Sequence, residues 1–249
     1  MLAARPTFSA GVSMSIINRF LVVALALVSV IANAQGIAPK SQEFVPKAGQ
    51  GRVVVLISGQ SGAANYVTVA QQFADAGFNV ALVDGNDFWI KDTAAAWNML
   101  KGVITSAQAG SHAVPGKVGV VGYSLGGGSA MSYAARMPDL VATVIVSYPL
   151  TSFIKDPADF VSKIKVPVTM YAGTADTYKD CCLIDKARQL AEAAKSVVPP
   201  MLTLHEYNGV GHGFNLPNAA RADIAAGQDA MARTITQLRQ ALPVTEAAK

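Results

Sequence analysis

The chain alternates short, uninterrupted apolar runs with longer segments in which apolar residues recur at helical spacing. Residues 52–58 read RVVVLIS and residues 117–123 read KVGVVGY. Runs of this kind are typical of strands that are buried on both faces. The same pattern predicts further strands at 78–84, 141–147, 166–172 and 201–207. The amphipathic segments predict helices at 63–76, 92–109, 125–137, 183–197 and 219–242.

This order of strands and helices predicts the fold class. Strands that alternate with helices form βαβ units, in which the parallel strands need a layer of helices on each face. We therefore predict a single α/β domain over 35–249, in which a polar segment at 35–51 precedes a mostly parallel central sheet. No insertion is long enough for a large cap domain. Loops at 60–66, 85–91, 148–160 and 177–182 are expected to set specificity.

The segment 1–34 has the pattern of a cleaved secretory signal peptide. It contains Arg5 and Arg19 and no acidic residue, followed by an apolar run of 12 residues and the tripeptide Ala32-Asn33-Ala34. The run is short against the roughly 20 residues that span a bilayer. A membrane anchor or a buried core helix is the alternative. If translation starts at Met14, residues 1–13 are a mis-assigned extension of the signal peptide. The signal predicts a periplasmic or secreted protein.

Composition and charge exclude several classes of protein. Hydrophobic residues make up 51% and charged residues 14% of the chain, which excludes a disordered, charge-dominated chain. Without 1–34 the chain has 18 basic and 16 acidic residues, a net charge of +2. This balance gives no electrostatic reason to expect nucleic acid or an anionic membrane as a partner.

The two cysteines, Cys181 and Cys182, are adjacent. Neighbouring residues cannot cross-link distant parts of the chain, so a disulfide-stapled scaffold is excluded. Three states remain open in an oxidising compartment: a vicinal disulfide, two buried thiols or an intermolecular bond. A metal site is the weakest interpretation, because no Cys/His pattern with ligand spacing accompanies the pair.

The strongest chemical signal is Gly122-Tyr123-Ser124-Leu125-Gly126, which lies where a predicted strand meets a predicted helix. This is the G-x-S-x-G nucleophile elbow in its strand–turn–helix context. The sharp turn strains the serine backbone and needs small flanking residues. It directs the hydroxyl outward at the carboxyl end of the sheet, so Ser124 is the predicted nucleophile.

A serine nucleophile needs a base. In enzymes with the G-x-S-x-G turn, an acid and then a histidine follow the serine along the chain. Of three histidines, His112 precedes the elbow and His205 lies in an apolar strand, whereas His212 lies in a Gly-rich loop after the last strand. His212 is therefore the predicted base. Asp176 ends the preceding strand and is the predicted acid. The alternatives for the acid, Asp180 and Asp84, are expected to be capping or solvated carboxylates.

Stabilisation of an oxyanion requires two backbone N–H donors. The first is expected from Leu125, which follows the nucleophile. The second is expected from the loop after the first long strand, from Ser61 or Gln60. That loop begins with Ser-Gly where lipase motifs have His-Gly, so the choice between the two residues stays open.

These motifs resemble those of the dienelactone hydrolase family of α/β-hydrolases. The matching segments are GYSLGG at 122–127, GTAD at 173–176 and GVGHGF at 209–214, and the resemblance covers about 50–240. It implies an α/β-hydrolase fold and hydrolysis of an ester or lactone without a cofactor or metal. The namesake enzymes have cysteine where this chain has Ser124, which favours an ordinary carboxylic ester. The resemblance also implies a polar, substrate-binding side chain near Gln60.

We therefore predict a serine hydrolase that acts on a small ester or lactone through an acyl-enzyme on Ser124. One alternative is hydrolysis of an extracellular polyester or lipid, for which Trp89, Phe88 and Trp97 are candidate cleft aromatics. Another alternative is a hydrolase-like protein that binds without turnover, since a fold alone does not establish a function. Triad chemistry alone also permits a peptidase. The sequence leaves the oligomeric state open.

Overall fold

A computed structural model describes residues 39–216 and 223–243, all within one compact unit. The predicted signal peptide at 1–34 lies outside these residues. The strands are β1 (Gln42–Phe44), β2 (Gly51–Ile57), β3 (Asn79–Val83), β4 (Ala113–Tyr123), β5 (Val141–Ser147), β6 (Val168–Gly173) and β7 (Leu202–Tyr207). The helices are α1 (Val67–Asp75), α2 (Thr93–Gln108), α3 (Leu125–Ser132), α4 (Pro157–Ser162), α5 (Ile184–Ala194) and α6 (Ile224–Ala241).

The strands form one sheet in the order β1-β3-β2-β4-β5-β6-β7. All neighbouring pairs are parallel except β1 and β3, which are antiparallel. The mostly parallel α/β fold predicted from the sequence is confirmed. Because β4, β5, β6 and β7 are consecutive neighbours, the loops that leave their carboxyl ends meet at one edge of the sheet, where open α/β folds bind ligands.

The sheet separates two apolar cores, and β2 contributes to both because successive side chains point to opposite faces. Val53, Val55 and Ile57 pack on the face covered by α2, α3, α4 and α5. Val54 and Leu56 pack on the face covered by α1 and α6. This two-sided burial explains why the strands read as continuous apolar runs.

Three elements differ from the prediction. The segment predicted as a polar lead contains β1, three residues with two exposed side chains, too short for a periodic signal. The loop predicted at 148–160 contains α4, a six-residue helix whose N-cap Asp156 accepts a hydrogen bond from the Asp159 N–H at 3.0 Å. The helix predicted at 125–137 ends earlier, with α3 at Ser132, and a separate 3-10 turn follows at Ala134–Arg136.

Two further elements start four residues from their predicted starts. The strand predicted from 117 begins at Ala113. The helix predicted from 63 begins with a 3-10 turn, Ala63–Tyr66. The predicted start of the last helix lies in 217–222, outside the described residues, and α6 is described from Ile224. Among the described helices none has both the length and the apolar character needed to cross a bilayer.

Candidate active site

Ser124 lies on the sharp turn between β4 and α3. Its φ of 49° and ψ of −114° fall in a region that residues with a side chain rarely adopt. The turn is held by backbone hydrogen bonds: the Ser124 N–H donates to the Ser147 carbonyl at 3.1 Å, and the Leu150 N–H donates to the Ser124 carbonyl at 2.8 Å. The Ser124 hydroxyl does not cap α3 and is free to face the site.

The two glycines of the elbow are required by close backbone packing. A Cβ on Gly122 would lie 2.5 Å from the Gly126 carbonyl oxygen. A Cβ on Gly126 would lie 2.4 Å from the carbonyl oxygens of Ile57 and Ser58, at the end of β2. The glycine spacing of the motif therefore allows α3 to approach the sheet closely enough to present Ser124.

Replacing Gly126 by alanine is expected to lower the free energy of unfolding by about 3 kcal/mol, because the new methyl group meets backbone that cannot rotate away. Urea unfolding of the variant beside wild type measures this change. Gly110→Ala is the matched control, since its nearest neighbour, the Ala107 carbonyl oxygen, would lie 3.3 Å away. That control should change stability by about 0.5 kcal/mol at most, and equal losses from the two variants would contradict the packing explanation.

The structure brings the predicted base and acid to Ser124. The His212 Nε2 lies 3.0 Å from the Ser124 Oγ, and the His212 Nδ1 lies 2.8 Å from the Asp176 Oδ2. The Asp176 side chain is almost fully buried and that of His212 is 15% exposed. Asp176 also accepts a hydrogen bond from the Tyr178 N–H at 3.0 Å. One carboxylate, one imidazole and one hydroxyl thus form a continuous hydrogen-bonded line.

The loops that carry Asp176 and His212 are joined directly. A Cβ on Gly173, at the end of β6, would lie 2.2 Å from the Val210 carbonyl oxygen, so a glycine lets the histidine loop pack on this strand. The Ala175 N–H donates to the same Val210 carbonyl at 3.0 Å. The Gly209 N–H donates to the Thr174 hydroxyl at 2.8 Å. These contacts fix the distance between the acid and the base.

The other histidines and carboxylates considered from the sequence lie in other environments. The His112 Nδ1 is 3.2 Å from the Glu43 Oε1 at a largely exposed position. His205 lies on β7, and its ring stacks on the ring of Tyr171 on β6. Asp84 caps a short helical turn by accepting from the Asn86 N–H at 2.9 Å, and Asp180 is exposed. Asp84 and Asp180 therefore have the capping and solvated roles that were expected from the sequence.

The residues predicted to stabilise an oxyanion flank the nucleophile. Leu125 is the first residue of α3, so its N–H has no acceptor within the helix. Gln60 and Ser61 lie in the loop after β2, which passes close to Ser124, because a Cβ on Gly59 would lie 3.2 Å from the Ser124 Cβ. Gln60 borders both cavities that open at Ser124, whereas Ser61 borders only the larger one.

A family model matches more than half of the chain. The family model described as the dienelactone hydrolase family matches residues 86–242, which include Ser124, Asp176 and His212. The chain belongs to the dienelactone hydrolase family. No curated protein matches it in sequence. As a member of this family it is, at a general level, a hydrolase of esters or lactones.

Solved structures share the fold at low identity. A Klebsiella pneumoniae protein assigned as a dienelactone hydrolase is 17% identical, with a TM-score of 0.68 over 80% of this chain and 92% of its own. Thermogutta terrifontis esterase 2 phosphorylated by paraoxon is 19% identical, with a TM-score of 0.64 over 84% and 91%. A Paleococcus ferrophilus monoacylglycerol lipase is 19% identical, with a TM-score of 0.59 over 81% and 98%.

Two tyrosines that the sequence analysis did not single out enclose the base of this dienelactone hydrolase family member. The Tyr178 ring stacks on the His212 ring with centroids 4.5 Å apart, and the Tyr148 ring meets it edge-on at 4.6 Å. Tyr178 lies two residues after the acid, and Tyr148 directly follows β5. The only sequence signal for either was its place in a loop predicted to set specificity.

Beneath the triad, Tyr66, Tyr123 and Tyr148 form a buried cluster. Burial is the main cause that raises the pKa of each phenol above its ordinary value of about 10. The Tyr148 hydroxyl donates to the Asn215 Oδ1 at 2.7 Å. These phenols therefore stay neutral at any pH at which an ester hydrolase of this kind is assayed.

The tyrosine cluster predicts a loss of stability in alkali. Because folding raises these pKa values, the unfolded chain loses the protons first, and its ionisation favours unfolding as the pH rises above about 10. Each buried phenol should then lower the free energy of unfolding by about 1.4 kcal/mol per pH unit. Urea unfolding at pH 7, 10 and 11 measures the slope. Tyr123→Phe should reduce it by the share of one phenol, and an unchanged slope would contradict this explanation.

The cysteine pair forms a vicinal disulfide between Cys181 and Cys182, the first of the three states left open by the sequence. One nitrogen of His212 and both sulfurs lie within 4.8 Å of one another. No sequence pattern indicates this cluster, because His212 is distant from the cysteines along the chain. Bonded to each other, the sulfurs have no thiolate to offer, and the thiolate is the form that binds metal.

The aromatic residues proposed from the sequence for an extended cleft divide into two groups. Phe88 is fully buried, and Trp97 packs against the core on the face covered by α2, so these two candidates belong to the core. Trp89 is 41% exposed and lines the smaller cavity at Ser124. Its ring meets Phe153 edge-on at 5.1 Å. The spacing of aromatics in sequence could not separate core from surface positions in these segments.

Proposed function

We propose that the protein is an exported serine hydrolase that cleaves a carboxylic ester or lactone through an acyl-enzyme on Ser124. The observation that carries the proposal is the hydrogen-bonded line from Asp176 through His212 to Ser124. The family supplies the reaction class. A serine in place of the cysteine of the namesake enzymes favours ordinary carboxylic esters.

In the first half-reaction the Ser124 Oγ attacks the carbonyl carbon of the substrate. The His212 Nε2 accepts the hydroxyl proton, and Asp176 keeps the Nδ1 protonated and stabilises the imidazolium. When the tetrahedral intermediate collapses, the bond to the alcohol oxygen breaks, and His212 donates its proton to that oxygen. For a lactone the released alcohol stays attached to the acyl group.

The second half-reaction releases the acid. A water molecule takes the position of the alcohol, His212 accepts its proton, and the hydroxide attacks the acyl carbon. Collapse breaks the bond to the Ser124 Oγ, which recovers its proton from His212. The carboxylic acid leaves, and the enzyme returns to its starting state without consuming a cofactor.

The negative oxygen of each tetrahedral intermediate needs two donors near Ser124. The Leu125 N–H is one, since it is the first of α3 and lies at the positive end of the helix dipole. For the second donor we favour the Gln60 N–H over the Ser61 N–H, because Gln60 borders both cavities at Ser124. Because these are backbone groups, replacing either side chain leaves the donor in place.

A second candidate activity is hydrolysis of a lipid or polyester chain. Trp89 lines the smaller cavity and is exposed, as are its chain neighbour Ile90 and Phe153, whose ring meets that of Trp89. Exposed apolar side chains grouped in this way suit an extended apolar substrate. Comparing tributyrin above and below its solubility limit distinguishes the two. Activity that rises sharply above the limit supports the lipid or polyester substrate, whereas saturation below it supports a small ester.

Export is supported by two features of the chain. One is the signal-like pattern over 1–34. The other is the vicinal disulfide at Cys181–Cys182, a bond that persists in oxidising compartments and is rare in the cytosol. N-terminal sequencing of the protein from a periplasmic fraction should begin at Gln35. Recovery of the uncleaved chain from the cytoplasm would contradict export.

Pre-steady-state hydrolysis of p-nitrophenyl butyrate tests the proposed function. An acyl-enzyme that forms faster than it breaks down gives a burst of p-nitrophenol, with an amplitude near the enzyme concentration, followed by steady turnover. Esters with the same acyl group and different phenols should then share one steady rate. No turnover of any ester or lactone would instead support a protein that binds without catalysis.

A further inference from the structure

Two cavities open at Ser124, and the proposed reaction needs room for two substrate parts. The larger has a volume of about 470 Å³ and is lined by Tyr66, Tyr148, His212 and Leu216 among others. The smaller has a volume of about 250 Å³. Ser124 lines both, so one tetrahedral centre on its Oγ can extend one substituent into each.

The position of the base assigns the two parts. His212 lines the larger cavity and not the smaller one. Because His212 must reach the alcohol oxygen to protonate it, the alcohol part belongs in the larger cavity. The acyl part then belongs in the smaller cavity, beside Leu125, whose N–H faces the developing oxyanion.

The smaller cavity contains both apolar and polar side chains. Its apolar and aromatic members besides Leu125 are Trp89, Leu150 and Tyr178, and Cys181 of the disulfide also lines it. Its polar members are bonded to other protein groups: the Asn86 side chain donates to the Gln60 carbonyl at 3.2 Å, and the Lys179 Nζ lies 3.4 Å from the Gln60 Oε1. The surface that lines this cavity is therefore about half apolar and half polar.

The disulfide is held rigidly at this cavity. The Cys181 carbonyl accepts hydrogen bonds from the Thr151 N–H at 2.9 Å and the Ser152 N–H at 3.0 Å, which join its loop to the loop after β5. Cys182 is buried. The bond between the two sulfurs removes the side-chain rotation that two free cysteines would have. A fixed, uncharged wall of this kind limits the length of the group beside it.

From these contacts we infer that the Cys181–Cys182 disulfide, together with Trp89, is the specificity-determining wall of the acyl subsite and restricts it to short acyl groups. The inference rests on the proposed function, since it requires an acyl group on Ser124. It goes beyond that function by naming the subsite and the class of substrate.

The test compares two series of esters in wild type and in three variants, without reductant. The acyl series is p-nitrophenyl acetate, butyrate, hexanoate and octanoate. The alcohol series is methyl, butyl and hexyl butyrate. The double variant Cys181→Ala/Cys182→Ala and the variant Trp89→Ala enlarge the smaller cavity, and Leu216→Ala enlarges the larger one. Ratios of kcat/KM within one variant cancel any loss common to all substrates, including a loss from a less stable loop.

Removing the sulfurs or the Trp89 ring should raise the octanoate-to-acetate ratio at least tenfold, the range expected when a hydrophobic pocket gains or loses a methylene group. The alcohol series should change less than threefold in these variants. Leu216→Ala should instead change the ratios within the alcohol series and leave the octanoate-to-acetate ratio within threefold of wild type.

Two results would overturn the inference alone while the proposed function stood. One is normal wild-type turnover with an unchanged acyl ratio in both the double-cysteine and Trp89 variants. The other is a change confined to the alcohol series in those variants. Absence of wild-type turnover, together with no labelling of Ser124 by a fluorophosphonate, would overturn the proposed function and this inference with it.

Discussion

Ser124→Ala is expected to lower kcat for ester hydrolysis by about 10⁶-fold, the size of loss seen when a serine hydrolase loses its nucleophile. The variant retains His212, Asp176 and the backbone donors, but it has no atom that can form the acyl-enzyme. Residual activity should come only from water activated in the site and from binding. Steady-state hydrolysis of p-nitrophenyl butyrate over several days, on protein free of host esterases, measures the loss.

The matched control is Ser129→Ala. Ser129 lies in α3, the helix that follows Ser124, is buried, and donates from its hydroxyl to the Leu125 carbonyl at 3.3 Å. Its variant should keep kcat within about threefold of wild type, because the hydroxyl is directed into the helix. Activity of Ser124→Ala comparable to that of Ser129→Ala would show that the nucleophile lies elsewhere.

Asp176→Asn is expected to lower kcat by about 10⁴-fold with little change in the fold. The Asp176 carboxylate accepts from the His212 Nδ1, and an amide nitrogen placed there would donate instead. The imidazole would then carry its proton on Nε2, facing Ser124, and could not act as a base. The loss should appear in kcat more than in KM, because the substrate does not touch this carboxylate.

Asp180→Asn is the control for the choice of acid. Asp180 is exposed and close in sequence, and it was the nearest alternative. The ratio of kcat between the two variants measures which carboxylate orients the base, and circular dichroism checks that both remain folded. A large loss in Asp180→Asn with activity retained in Asp176→Asn would reverse the assignment.

The fold was predictable because its signals are local. Residues 52–58 and 117–123 are uninterrupted apolar runs, and the structure places β2 and the end of β4 there. The elements that were missed have weak local signals. The short strand β1 depends on antiparallel pairing with β3, a contact distant in sequence. The helix α4 has only six residues, too few to show a period.

The triad could be chosen from the sequence because its chemistry restricts residue types and order. The G-x-S-x-G turn identifies Ser124 on steric grounds alone, and only one histidine follows the last strand in a Gly-rich loop. The tyrosines around His212 could not be chosen in this way, since Tyr178 and Tyr148 reach it by ring contacts between distant loops. The pair Cys181–Cys182 follows Asp176 closely in sequence, which indicates a place beside the acid, but its hydrogen bonds to the loop after β5 depend on how its own loop folds back.

The acyl-enzyme on Ser124 can be tested by trapping this covalent intermediate. The enzyme is mixed with p-nitrophenyl butyrate, quenched in acid within the burst phase and digested with pepsin, and the peptides are analysed by mass spectrometry. We expect a butyryl group on the peptide that contains Ser124, at close to one per chain, and none in Ser124→Ala. Turnover with the butyryl group on another residue, or with no acylated peptide throughout the burst, would contradict this expectation.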